Sequence, residues 1–112
     1  MTIYNLGSIN IDHVYRLTAL PRAGETISSQ GYALGLGGKG ANQSVAAARA
    51  GARVQHLGAM GTGDGWVLDK LAAAGAGTDA ISRLEGVATG HAIILVDGGG
   101  ENSMILLGAA KH

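Results

Sequence analysis

The stretch Gly35-Leu36-Gly37-Gly38-Lys39-Gly40-Ala41-Asn42-Gln43-Ser44 limits this chain more than any other. Four of the six residues 35–40 are glycine, and an alanine-rich segment follows directly. Glycine loses more backbone freedom on folding than any other residue. Ordering so bare a turn therefore needs a compensating contact, and exposed peptide groups beside one cation and one carboxamide suit a polar ligand. The residues from about Ala41 to Ala50 read as a helix that Gly51 ends in the usual C-terminal position.

Gly35, Gly37 and Gly40 satisfy G-x-G-x-x-G, so a dinucleotide fold is the first reading to test. That fingerprint needs an acidic residue about 20 positions downstream to hold ribose hydroxyls. No Asp or Glu occurs between Glu25 and Asp64, which excludes it. A Walker-type phosphate loop fails as well, because Gly40 follows Lys39 where a Ser or Thr would be needed for magnesium.

The remaining chain reads as short apolar strand runs and one further helical segment. Thr2 to Gly7 reads as a buried strand. Ligands of open α/β sheets collect at the carboxyl ends of strands, so Asn10 and Asp12 stand where a site would be built. A plain turn is the competing reading of Asn10-Ile11-Asp12, since both polar types favour turns. His13 to Leu17 reads as an edge strand because Pro21 is near, and Glu25 to Leu34 as extended. Arg53 to Leu57 is expected to be a strand, Gly58 to Gly65 a flexible turn, and about Trp66 to Ala74 a helix burying Val67, Leu68 and Leu71. Trp66 is most simply a packing residue.

Thr78 to Leu84 suggests a further strand. A hairpin then runs from His91–Val96 through Asp97-Gly98 to Ser103–Leu107. Its aliphatic strands imply burial on both faces, or an open edge for self-association where neighbours are lacking.

Three segments in order, Asn5-Leu6-Gly7-Ser8-Ile9-Asn10-Ile11-Asp12, Leu20-Pro21-Arg22-Ala23-Gly24-Glu25-Thr26 and Gly37-Gly38-Lys39-Gly40-Ala41-Asn42-Gln43, resemble the N-terminal part of the ribokinase family, the PfkB-type carbohydrate kinases. The resemblance implies the N-terminal part of a three-layer α/β/α fold over residues 1–112, with lid strands inserted near 13–35 and 90–108. It also implies that Asn10, Asp12, Gly38, Lys39 and Asn42 bind a sugar, ribose being the first choice. For the glycine loop the competing reading is a helix cap beside a solvated lysine.

Members of this family transfer the γ-phosphoryl of ATP, with Mg2+, to a sugar hydroxyl. Their Gly-Ala-Gly-Asp catalytic segment is absent from this sequence, so no catalytic residue is assigned in this chain. The resemblance implies that this chain alone is inactive and binds neither ATP nor Mg2+. Two alternatives stand beside it, a non-catalytic sugar-binding or dimerising module and one subunit of a split sugar kinase. The expected partners are a small-molecule sugar and either a second copy, joined through the lid strands, or a C-terminal kinase half. The sequence's close, Gly108-Ala109-Ala110-Lys111-His112, departs from the Gly-Ala-Asn common in the family.

Composition narrows the classes further. Eight basic and eight acidic residues give a formal net charge of zero, so no global field recruits nucleic acid or an anionic membrane. With no cysteine, thiolate chemistry and disulfides are excluded, in keeping with a cytoplasmic setting. No signal-peptide pattern or membrane-spanning run is present. His13, His56, His91 and His112 lack metal-like spacing, so no metal site is expected. With no Phe, one Trp and 20 glycines, the core must be built from small side chains and is expected to be marginally stable.

Overall fold

The computed structural model describes residues 1–108; the departure from Gly-Ala-Asn and His112 lie outside them. The order of elements is β1 (Thr2–Leu6), β2 (Asn10–Arg16), β3 (Gly31–Gly37), α1 (Lys39–Arg49), β4 (Arg53–Gly61), α2 (Gly65–Ala73), β5 (Ala76–Gly77), β6 (Ile81–Leu84), β7 (His91–Val96) and β8 (Asn102–Leu107). They form two sheets. In the first, all parallel, β4 pairs with β1 on one side and with both β5 and β6 on the other. The second is mixed, in the order β3-β2-β7-β8, with β2 and β7 parallel and both outer pairs antiparallel.

The helices lie on one face of the parallel sheet. Val67 and Leu71 of α2 are fully buried and meet Ile9, Ile11, Ala41, Met60 and Ile81 in one core. Asp69 and Lys70 point to solvent, as the amphipathic pattern of α2 requires. Trp66 is half-buried against this core, which accords with its packing role. α1 ends as expected, with Gly51 N–H donating to Ala48 O at 3.0 Å and Ala52 N–H to Ala47 O at 3.1 Å.

Several expectations are corrected. β2 is an interior strand flanked by β3 and β7, because Pro21 falls five residues past its end and removes no ladder hydrogen bond. β2 also starts at Asn10, ahead of the His13 expected, so the competing turn reading of Asn10-Ile11-Asp12 falls away. The third strand is Gly31–Gly37, later than the 25–34 segment expected, so Gly35-Leu36-Gly37 at the head of the glycine-rich stretch is extended backbone.

β4 continues through Gly58-Ala59-Met60-Gly61, where β6 pairs with it. The glycine there serves close approach, since a Cβ on Gly58 would stand 2.8 Å from Gly7 O. The β7–β8 hairpin is present, yet β8 is exposed along its length and Leu106 is 67% accessible. β8 is the edge strand of the mixed sheet, and among the described residues no element packs over it.

The other face of the parallel sheet is open. Tyr4 and Leu6 alternate away from the helices and are 69% and 60% exposed. Parallel sheets are ordinarily covered on both faces. The smallest dimension of the chain, 18 Å, matches one sheet and one layer of helices. Among the described residues no helix is long and apolar enough to cross a membrane.

Candidate sugar-binding site

The chain leaves the parallel sheet at the carboxyl end of β1, where Gly7 N–H donates to Leu57 O at 3.0 Å. Ile9 and Ile11 then insert into the core, at 3% and 6% exposure. Because strand side chains alternate, Asn10 and Asp12 face the opposite side from Ile11. The two buried isoleucines thus fix which way the polar pair points.

What those side chains meet explains two of the glycines. Asp12 pairs in register with Gly35, and its carboxylate leans along the strand over Gly37. A Cβ on Gly37 would collide with both Asp12 oxygens. Asn10 Oδ1 stands 2.6 Å from where a Cβ of Gly90 would be, and the Gly90 carbonyl accepts from Ile11 N–H at 2.9 Å. Any larger residue at 37 or 90 would displace a candidate ligand-binding group.

The corner itself turns at Gly38, whose φ of 92° is a left-handed conformation that glycine alone tolerates readily. A side chain there would also meet Ser8 O at 2.6 Å. α1 starts immediately after it. Ala41 N–H donates to Ser8 O and Asn42 N–H to Gly38 O, both at 2.9 Å. No side chain caps α1 and no acidic residue lies in its first turn. The positive end of the helix dipole and exposed Lys39 therefore adjoin the Gly37-Gly38 corner.

The structure brings Asn10, Asp12 and Gly38 together at this corner, with Lys39 next along the chain. Asn42 also lies in the first turn of α1. The residue borders a recess of about 250 Å³ with Leu36, Val45, Arg49, Lys70 and Ala74. Burial pushes the Asp12 carboxyl above its ordinary value of 3.8, an effect the neighbouring His13 partly offsets. A half-buried acceptor of this kind suits a neutral ligand rich in hydroxyl donors, while its charge disfavours an anion at the same spot.

Sequence reasoning missed Gly37 and Gly90, whose role is to leave room for Asp12 and Asn10. It also missed Thr89, buried beside Gly90. Thr89 Oγ1 accepts from Gly61 N–H at 2.9 Å and donates to Asp64 Oδ2 at 2.7 Å, tying the start of β7 to the end of β4. The glycines at alternate positions 35 and 37 were the available signal. Among the described residues, no group of three or more His, Cys, Asp or Glu gathers to hold a metal ion.

Comparisons with known proteins agree with this architecture. The pfkB family carbohydrate kinase profile matches residues 2–112. Ribokinase of Haemophilus influenzae is 42% identical over 114 residues, covering 99% of this chain and 37% of that protein. The structure of Cryptococcus neoformans ribokinase in complex with ADP superposes with a TM-score of 0.86 at 44% identity, over 97% of this chain and 35% of that one. Arabidopsis thaliana ribokinase complexed with ribose and ATP gives the same TM-score of 0.86 at 30% identity. The chain thus spans a little over a third of the length of the relatives it matches. From a profile match across nearly its whole length and the shared fold, this chain belongs to the pfkB family of carbohydrate kinases.

Proposed function

We propose that this chain is the sugar-binding, N-terminal part of a ribokinase-like carbohydrate kinase, with ribose as substrate of the complete enzyme. The observation that carries the reading is the Asp12 carboxylate lying over Gly37, one residue before the left-handed turn at Gly38. In this reading Asp12 accepts hydrogen bonds from sugar hydroxyls and Asn10 adds a carboxamide. The Gly38 backbone, Lys39 and Asn42 complete the contacts. Charge-assisted hydrogen bonds to a carboxylate contribute roughly 1.5–3 kcal/mol each, enough for two of them to give a weak sugar site its selectivity.

The complete enzyme would transfer the γ-phosphoryl of ATP, with Mg2+, to a hydroxyl of that sugar. Positioning and electrostatics do most of the work in such reactions. This chain's contribution is to bind and orient the acceptor; its described residues offer no metal-ligand cluster, and no step is assigned to them beyond binding. The four-stranded mixed sheet acts as a lid over the sugar, and its exposed apolar strands pair two copies.

A second reading, one subunit of a split kinase, is favoured by the open face of the parallel sheet. Beside exposed Tyr4 and Leu6, the buried Gln55 Oε1 has no hydrogen-bond partner among the described residues. A covering layer that supplies a donor there would complete the three-layer α/β/α fold. Calorimetric titration of ribose into the wild-type chain and Asp12→Ala tests the principal reading. Saturable binding lost in the variant supports it, and equal heats for the two proteins refute it. Co-purification with a polypeptide carrying Gly-Ala-Gly-Asp would establish the split form.

A further inference from the structure

Beneath the glycine corner, the side chains of Asn5, Ser44 and His56 link two backbone carbonyls in a hydrogen-bonded chain. Asn5 Nδ2 donates to Gly40 O at 2.9 Å and to Ser44 Oγ at 3.0 Å. Ser44 Oγ lies 2.7 Å from His56 Nδ1, and His56 Nε2 lies 3.1 Å from Gly7 O. Ser44 and His56 are both fully buried. The network begins on Gly40 and ends on Gly7, and these two residues are themselves in backbone contact, since a Cβ on either would strike the other.

Hydrogen-bond chemistry fixes the directions within this network. Gly7 O can only accept, so Nε2 carries the hydrogen. Nδ1 of a neutral imidazole then accepts, and the Ser44 hydroxyl donates to it while accepting from Asn5. Asn5 Nδ2 carries two hydrogens and donates both ways, to Gly40 O and to Ser44 Oγ, and from Ser44 onward each bond points toward Gly7 O; a buried network of this kind rigidifies what it connects. What it connects is β1, α1 and β4 at the level of Gly7 and Gly40, which flank the Ser8 carbonyl that receives Ala41 N–H.

We propose that Ser44 and His56, with Asn5, are positioning residues that hold the Gly38-Lys39-Gly40 corner in its ligand-binding form. The claim about sugar affinity rests on the function proposed above; the claim about the corner does not. Ser44→Ala and His56→Leu open the network. His56→Gln places an amide donor where Nε2–H stood, restoring the bond to Gly7 O.

The test uses the whole chain, 15N-labelled, with amide hydrogen exchange and ribose titration on each variant. In Ser44→Ala and His56→Leu, exchange at the Ala41 and Asn42 amides should rise at least tenfold relative to Val67 and Leu71 in α2. Ribose affinity should fall about tenfold, and His56→Gln should recover most of both. The His56 side-chain 15N spectrum of the wild type should show the Nε2–H tautomer. Equal changes at α1 and α2, a corner unchanged in both opened variants, or the Nδ1–H tautomer would overturn the proposal. If wild type shows no ribose binding while exchange changes as stated, the sugar reading fails and the positioning role stands.

Discussion

Gly40→Ala sets two opposing effects against each other inside a helix. Alanine raises helix propensity by about 0.8–1.0 kcal/mol over glycine, so at an open site the substitution stabilises. Gly40 is not open. Its added Cβ would collide with Gly7 Cα and carbonyl carbon and stand 2.6 Å from Ser8 N, nearly an ångström inside ordinary contact. Those are backbone atoms on a strand end that is bonded to Leu57 O, so no rotamer change relieves the clash.

Overpacking in well-packed interiors costs typically about 1–3 kcal/mol, and a backbone-to-backbone clash belongs at the upper end. The net expectation is a loss of about 1–2 kcal/mol, a shift of several degrees in melting temperature for a domain of this size. Gly65→Ala is the control. Gly65 opens α2 with nothing within 4 Å of its Cβ position, so that variant should gain about 0.4–1 kcal/mol. Urea unfolding monitored by Trp66 fluorescence gives both differences, provided the m-values match wild type. A Gly40→Ala chain as stable as Gly65→Ala would refute the close packing of α1 against β1.

Other expectations follow from the same geometry. Burial raises the Asp12 pKa in the folded chain, so folding is penalised once Asp12 ionises, and the penalty sets in as pH rises from the ordinary value of 3.8 through the raised one. Asp12→Asn should therefore melt higher than wild type at pH 7 and equally near about pH 3, where both states hold the proton; a lower melting point at pH 7 contradicts this. Sugar hydroxyls bond to the ionised carboxylate, so ribose affinity should weaken as pH falls through the Asp12 titration, measurable by calorimetry across the acid range. Gly37→Ala should abolish ribose binding by displacing the Asp12 carboxylate while circular dichroism stays near wild type. Thr89→Val strips the buried partner from Gly61 N–H and from Asp64, and urea unfolding should record a loss of about 1–3 kcal/mol.

Much of the fold was legible because it depends on local pattern. The helix after the glycine run, the amphipathic α2 and the Asp97-Gly98 hairpin each follow from residues near one another in sequence. The polar pair at Asn10 and Asp12 was legible from its place after the first apolar run and from the ordered motifs. What escaped depends on contacts between distant segments. The interior position of β2 is set by β7, some 80 residues on, and the extension of β4 by β6. The Ser44–His56 bond joins a helix to a strand 12 residues later, a separation no helical or strand period marks. Gly37 and Gly90 matter for space they leave empty, which a sequence shows only as one more glycine. The exposure of β8 shows that an aliphatic run reports a tendency to be covered, not that a covering layer stands among the described residues.

Chemical-shift mapping of ribose on the 15N-labelled chain puts the proposed site to the plainest trial. The account predicts saturable shifts concentrated on Asp12, Gly37, Gly38, Lys39 and Asn42, and their disappearance in Asp12→Ala. Shifts clustered on another part of the molecule, or none at sugar concentrations far above those that saturate the family's enzymes, would contradict it.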